Sequence, residues 1–476
     1  MNVVLILADQ HRADCLGAAG NGEVSTPALD RIAADGTVYD HCYCAYPVCT
    51  PSRYSLLSGL PVHEHSGWSN RSTLAPTIET FVRTLRSEGY DTTAVGKMHF
   101  TPTYLDVGFD EMRLCEQDGE GRWDDDYHRY LMQQGLADEI DLMDQRKEFR
   151  EHAPEEYWRS FGAMASNLPE QHHSTSWIGR QAVEAVSRFR RGGSSFLMVG
   201  FVKPHHPFDP PAEWLEGYDP SALTIPHGWT EVPLPADLAW SSGYFPHTDL
   251  TPDALRRVMA HYYATISHMD DWIGRILDTL QASGAYDDTL VVYTSDHGEY
   301  LGHHHLLLKG GPLYEPLVRV PLLVKPAGDG TGGPQLPDPK AMYSNTDLGS
   351  MILSAADLTE PPSGRDYVFA HAPSRGADHA AAMVRSQRYK LMRGPVESMF
   401  FDLRLDPQEL NNSIRLPEYQ AVIAAHESAL SEFEGGTPVG PDPFVDLDAP
   451  TIEPAHGNEP TRRQVVDYFR SAMGTH

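Results

Sequence analysis

Basic residues are scarce. Against 66 Asp and Glu the chain has only 37 Lys and Arg, a formal net charge of −29 at pH 7. Nucleic acid and anionic membranes would both repel it, so neither is expected as its main partner. Long apolar runs are missing too: no segment approaches the roughly 20 apolar residues of a membrane span. Cysteine is rare and odd in number. Cys15, Cys42, Cys44, Cys49 and Cys115 make a poor disulfide framework. The N-terminus lacks a basic start and a small-residue cleavage site. It therefore reads as a core strand and not a signal peptide, and a cytoplasmic location is expected. The shortage of cations sets one constraint. Any anion site must gather local positive charge against the global field, so each Lys, Arg or His beside a motif carries weight.

What is present is ordinary for a globular chain: 476 residues, 41% apolar and 22% charged. Val3 to Ala8 is a continuous apolar run of strand length. Thr26 followed by Pro27 reads as a helix N-cap and first position. A helix is predicted over 77–88, closed by Gly89, and a strand over 92–95. Amphipathic helices are predicted at 176–190 and 255–280, with buried strands at 196–202, 290–294 and 320–324. Helices between continuous apolar strands predict an α/β fold with a mainly parallel sheet covered on both faces. That domain is taken as 1–345. Residues 346–434 read as a small antiparallel sheet with a packed helix, an α+β subdomain. Residues 435–476, rich in Pro, Gly and Asp, read as an extended arm through which a homo-oligomer is expected to form.

Polar residues recur where the predicted strands end. Asp9 and Gln10 follow the first strand, Lys97 and His99 the second, His205 the third, and Asp296 and His297 the fourth. Ligands of open α/β sheets sit at the carboxyl ends of strands. Taken singly, each of these residues has a bland reading: Asp after a strand is often a helix cap, and a lone Lys is usually solvated. Four coincidences at one sheet edge make a site.

The stretch Cys49-Thr50-Pro51-Ser52-Arg53, continued by Leu56-Leu57-Ser58-Gly59, resembles the signature of formylglycine-dependent sulfatases. Gly96-Lys97-Met98-His99, Pro204-His205-His206-Pro207, Ser295-Asp296-His297-Gly298-Glu299 and Phe401-Asp402-Leu403 are similar to further elements of that family. The resemblance spans nearly the whole chain and is weakest over 114–141 and after Gly435. It implies an alkaline-phosphatase-like sandwich and oxidation of Cys49 to formylglycine by a formylglycine-generating enzyme. The hydrated aldehyde would attack sulfur with one hydroxyl and expel sulfate by collapse of the other. Asp9, Gln10, Asp296 and His297 are implied as ligands of one divalent cation, Ca²⁺ by preference, with Mn²⁺ or Mg²⁺ as alternatives. His297 stands where many sulfatases have Asn; its pairing with Gln10 resembles that of choline-sulfatase-like and phosphonate-monoester-hydrolase-like relatives.

By the same resemblance Lys97, Lys309 and Arg53 would meet the sulfate and nucleophile oxygens. His99 would act as base in the collapse, and His205 as proton donor to the leaving oxygen. His206 reads as a solvated loop residue. Asn70 and His304 are assigned to substrate binding. Specificity is expected from 68–71, from Trp123-Asp124-Asp125-Asp126 with its acidic triplet as a solvated helix start, and from loops around His172 and Trp240. The expected substrate is a small-molecule or saccharide sulfate monoester. Two alternatives stay open: a phosphonate monoester or phosphodiester hydrolase with the same nucleophile, and a non-catalytic metal-bound scaffold with unmodified Cys49.

Overall fold

The computed structural model describes all residues except 120, 241–243, 329–335, 374–380, 395, 436–444, 455, 458–459 and 475–476. Its centre is a seven-stranded sheet made of β1 (Asn2–Asp9), β2 (Thr37–Val38), β3 (Asp91–Gly96), β4 (Glu111–Leu114), β5 (Ser195–Pro204), β6 (Thr289–Ser295) and β7 (Leu322–Lys325), in the order β2-β7-β6-β1-β5-β3-β4. β1 runs parallel to both β5 and β6, and β3 is parallel to β4 and β5. Only β7 and the short β2 run against their neighbours.

Val3 through Ala8 are fully buried, and the period-2 alternation explains why the run has no polar gap. Val3, Leu5 and Leu7 face a layer that includes α3 (Phe81–Ser87) and α7 (Leu348–Ala355). Val4, Ile6 and Ala8 face α5 (Ser174–Val186) and the long α6 (Pro252–Ala282). The mainly parallel, doubly covered sheet is thus as predicted.

Local details differ from the sequence reading. The helix predicted over 77–88 starts at Phe81, because the Thr80 side chain accepts from Arg83 N and sets the N-cap there. In α1 (Pro27–Ala34) Thr26 does not cap. Its hydroxyl is engaged by Gly17 N and Asp30. The first-turn donors, Ala28 N and Leu29 N, go instead to Asp270 of α6 at 2.8 and 2.9 Å. A carboxylate from a distant helix thus satisfies the free end.

The C-terminal region contains a four-stranded antiparallel sheet of β8 (Val368–Ala372), β9 (Ala381–Arg385), β10 (Tyr389–Arg393) and β11 (Met399–Asp402), with α8 (Gln420–Phe433) packed on it. The stretch read as an extended arm is not simply extended. It carries α9 (Arg462–Ala472), opened by a capping box between Thr461 and Gln464. Val465 and Phe469 of α9 are fully buried, Phe469 lying 4.8 Å from the ring of Trp123. The apolar face of α9 is thus packed on the chain itself.

The acidic triplet is corrected by the same packing. Asp125 and Trp123, ahead of α4 (Asp126–Gln134), are buried. Asp125 binds Glu116 N and His128, and Asp126 binds Leu114 N and the Tyr104 hydroxyl. Asp125 and Asp126 thus hold the chain after β4, while the partly exposed Asp124 pairs with Arg462 at 3.1 Å.

Candidate active site

Helix α2 (Cys49–Ser58) begins at Cys49. Every residue of α2 up to Leu57 is buried, which explains its lack of amphipathic pattern. Two amide side chains pin its start. Asn345 donates to Ser52 O and Oγ and accepts from Ala45 N, and Asn70 Oδ1 accepts from Thr50 N at 3.1 Å. Asn70, assigned to substrate binding, thus spends its carbonyl on the helix end.

Cys49 Sγ lies 3.0 Å from Lys309 Nζ, 3.5 Å from both Asp9 Oδ1 and His297 Nε2, and 3.9 Å from Lys97 Nζ. All five cysteines are free and buried. Burial raises the thiols of Cys15, Cys42, Cys44 and Cys115 above their ordinary range. At Cys49 burial acts the same way, but the charges of Lys309 and Lys97 outweigh it and hold the thiol well below its ordinary value. An electropositive setting of this kind marks a reactive position and not a packing one.

The strand-end residues converge on it. Asp9, Cys49, Asp296 and His297 place ligand atoms within 4.8 Å of one another. Burial and the Cys49 charge push Asp9 up, yet the ammonium groups of Lys97 and Lys309 help keep its carboxyl below the usual range. Lys97 Nζ is 2.7 Å from Asp9 Oδ2, and this neighbour keeps the buried ammonium charged. Arg53 grips both carboxylates, with Nε 3.0 Å from Asp296 and Nη2 3.3 Å from Asp9, and donates to the Lys97 carbonyl. It is fully buried. Arg53 therefore holds the carboxylates rather than reaching for substrate oxygens.

The donors fit a divalent cation. His297 Nδ1 donates to Gly298 O at 2.9 Å, leaving the Nε2 lone pair for the cluster. Gln10 Nε2 donates to Glu299, and Gln10 Oε1 is buried without a partner. With two carboxylates these make three hard oxygen donors and one imidazole. Gln10 has φ 68°, a left-handed conformation that an ordinary residue keeps only when its surroundings impose it. Here Asp296 Oδ1 accepts from Gln10 N at 3.1 Å.

His99, also left-handed at φ 61°, has its amide held by Glu116. Its Nε2 donates to Asp118 O at 3.0 Å, and its Nδ1 is buried and unpartnered, free to act as a base. His205 Nδ1 donates to the His206 carbonyl at 2.5 Å, so Nε2 accepts from Lys309 Nζ at 2.7 Å. Burial, Lys309 and His206 hold the His205 imidazole well below its ordinary range, hence neutral.

Other assignments land elsewhere. His304 is buried, its Nδ1 3.0 Å from Asp237 Oδ2 and its Nε2 bonded to Gln408 O. Its ring is committed to linking Asp237 with the C-terminal region, away from the Cys49 cluster. His206 is not a solvated loop residue: it is 7% exposed, stacks on His205 at 4.2 Å and pairs with Asp144 at 2.6 Å. Trp123 and Trp240 are buried, and His172 Nδ1 is bonded to the Tyr130 hydroxyl. The reading of strand ends missed β4, which is followed by Cys115-Glu116-Gln117. Gln117 bridges Lys97 Nζ at 3.1 Å and Asp141 at 2.7 Å. The same strand-end rule would have found it, had the short β4 been recognised.

Comparison with known proteins decides the family. The sulfatase family model matches residues 1–358. This chain belongs to the sulfatase family. It is a sulfuric ester hydrolase of alkaline-phosphatase-like fold. Among sulfatase relatives, it is 28% identical to an arylsulfatase of Clostridium perfringens, over 91% of this chain and 94% of that one. It is 24% identical to a choline-sulfatase of Rhizobium meliloti, over 89% and 85%. In fold it matches the phosphonate monoester hydrolase of Agrobacterium radiobacter with a TM-score of 0.71 and 22% identity, covering 91% and 95%. A second match, TM-score 0.69 and 20% identity over 92% and 99%, is a structure holding its substrate D-glucosamine-2-N,6-O-disulfate.

Treating this sulfatase with a chelator is expected to remove its activity, and Ca²⁺ or Mn²⁺ to restore it. His297→Asn exchanges the imidazole for a hard oxygen, so the ratio of Ca²⁺ to Mn²⁺ affinity should rise. Titrating both ions into each protein checks this; an unchanged ratio removes His297 from the ligand set.

Proposed function

We propose that the protein hydrolyses a sulfate monoester of a small molecule or sugar at Cys49, after conversion of that residue to formylglycine. The observation that carries the reading is the setting of Cys49. A buried thiol at a helix start lies against two lysines, with the Asp9, Asp296 and His297 donors beside it. An aldehyde hydrate at position 49 supplies the hydroxyl nucleophile and a second hydroxyl whose deprotonation releases sulfate. Asp9, Gln10, Asp296 and His297 would hold a divalent cation, which would offset charge on the transferring sulfuryl group.

The chain's own residues do the rest. Position 49 stands at the start of α2, where the helix dipole favours an anion. Lys97 and Lys309 add positive charge that opposes the global −29. His205 is neutral with its proton committed to the His206 carbonyl, so the proton for the leaving oxygen sits on the Lys309–His205 pair. His99 Nδ1 takes the proton when sulfate is expelled. The sulfated sugar bound by one structural neighbour supports a saccharide sulfate as substrate.

A second reading is hydrolysis of a phosphonate monoester. It is favoured by Gln10 and His297 and by the fold match to a phosphonate monoester hydrolase. Catalytic efficiency on 4-nitrophenyl sulfate and on 4-nitrophenyl phenylphosphonate separates the two. The sulfatase reading requires the sulfate to be the better substrate; a reversed preference overturns it. Mass measurement of the tryptic peptide holding Cys49 tests the conversion and excludes or establishes the scaffold alternative.

A further inference from the structure

We propose that Glu299 is a positioning residue that orients the Gln10 amide for the metal and fixes the backbone that carries Lys309. The inference rests on the metal site proposed above, and it concerns a side chain that does not touch the reacting atoms. Glu299 is fully buried. Its Oε2 accepts from Gln10 Nε2. Its Oε1 accepts from Leu301 N at 3.1 Å and from Leu308 N.

Each of these contacts does something specific. A carboxylate is an acceptor on both oxygens, so the Gln10 amide can face it only with its NH₂ group. The oxygen, Gln10 Oε1, is thereby turned the other way, and it is buried with no partner. Without Glu299 the amide has no reason to prefer this orientation over the flipped one, which would aim two N–H donors at a cation. The other oxygen works on the chain itself. Leu301 and Leu308 have φ of 45° and 67°, left-handed conformations that a branched side chain resists. Both bend backbone around Glu299, and Leu308 precedes Lys309, whose Nζ lies 3.0 Å from Cys49 Sγ. One buried carboxylate thus ties β1's metal ligand to the lysine beside the nucleophile.

A pair of variants tests the orientation. In Glu299→Gln the new amide keeps its oxygen on Leu301 N and Leu308 N. Its NH₂ then confronts that of Gln10, and the Gln10 amide must flip. Affinity for Ca²⁺ and for Mn²⁺, each titrated alone by calorimetry, is expected to fall about 10- to 100-fold, the range for loss of a group that orients a ligand. Adding Gln10→Glu restores the pair with its polarity reversed. The amide introduced at position 299 then donates to one oxygen of the carboxylate introduced at position 10. The other oxygen of that carboxylate faces the cation with no orientation to lose. The double variant should bind at least as tightly as the wild type. Wild-type affinity in Glu299→Gln, or a double variant as weak as the single one, overturns the proposal. Wild-type protein that binds neither ion in the same titration overturns the metal site instead. Thermal melting of all three proteins shows whether a loss comes from unfolding.

Discussion

Cys49→Ala is expected to lower turnover of 4-nitrophenyl sulfate by on the order of 10⁴-fold or more, the scale of loss when a covalent nucleophile is removed. The melting temperature should change little. The Sγ atom touches Lys309, Asp9, His297 and Lys97 rather than an apolar core, so deleting it removes no hydrophobic packing. Cys49→Ser is the sharper variant. It restores an oxygen nucleophile of similar size, but a sulfated serine has no second hydroxyl from which to collapse, and release stalls. Serine should therefore be nearly as inactive as alanine in multiple turnover. A serine variant that turns over repeatedly would contradict the formylglycine mechanism while leaving the site in place.

His205→Ala and Lys309→Met are expected to act selectively on poor leaving groups. General acid help matters most when the departing alcohol is basic. Losses on an alkyl or sugar sulfate should exceed those on 4-nitrophenyl sulfate by about 10²-fold, the lower end of what a positioned acid contributes. Because Lys309 Nζ donates to a neutral His205, the lysine holds the proton and the histidine places it. Lys309→Met should therefore also lower the rate on nitrophenyl sulfate, since it removes a charge 3.0 Å from the nucleophile position. His205→Ala should leave that rate closer to wild type. A series of substituted phenyl sulfates plus one alkyl sulfate measures the dependence on leaving-group pKa. If the slope is unchanged in both variants, the pair is not the acid.

Much of this site was legible along the chain because its parts are local. Asp9-Gln10, Lys97 and His99, His205 and Asp296-His297 each follow a strand whose apolar run is visible on its own. A parallel sheet puts such strand ends at one edge whatever the order of strands. Cys49 was legible for a different reason, its fixed spacing to Pro51 and Arg53. His304 misled because three consecutive histidines at 303–305 give no sign of which one turns inward or towards what. Only the fold brings Asp237 to its Nδ1.

By itself, then, the sequence determined the α/β class, the central strands and the identity of most groups around Cys49, since periodicity and short motifs are properties of neighbouring residues. The tertiary structure alone decided what each group does there. Arg53 became a clamp on two carboxylates because Asp9 and Asp296, far apart along the chain, arrive at the ends of adjacent strands β1 and β6. His206 became a buried partner of Asp144, Asp270 the cap of a helix some 240 residues upstream, and Arg462–Ala472 of the C-terminal arm a helix packed against Trp123. Each of these depends on a hydrogen bond or contact between distant positions. A buried polar group must find some partner, but nothing local in the chain says which.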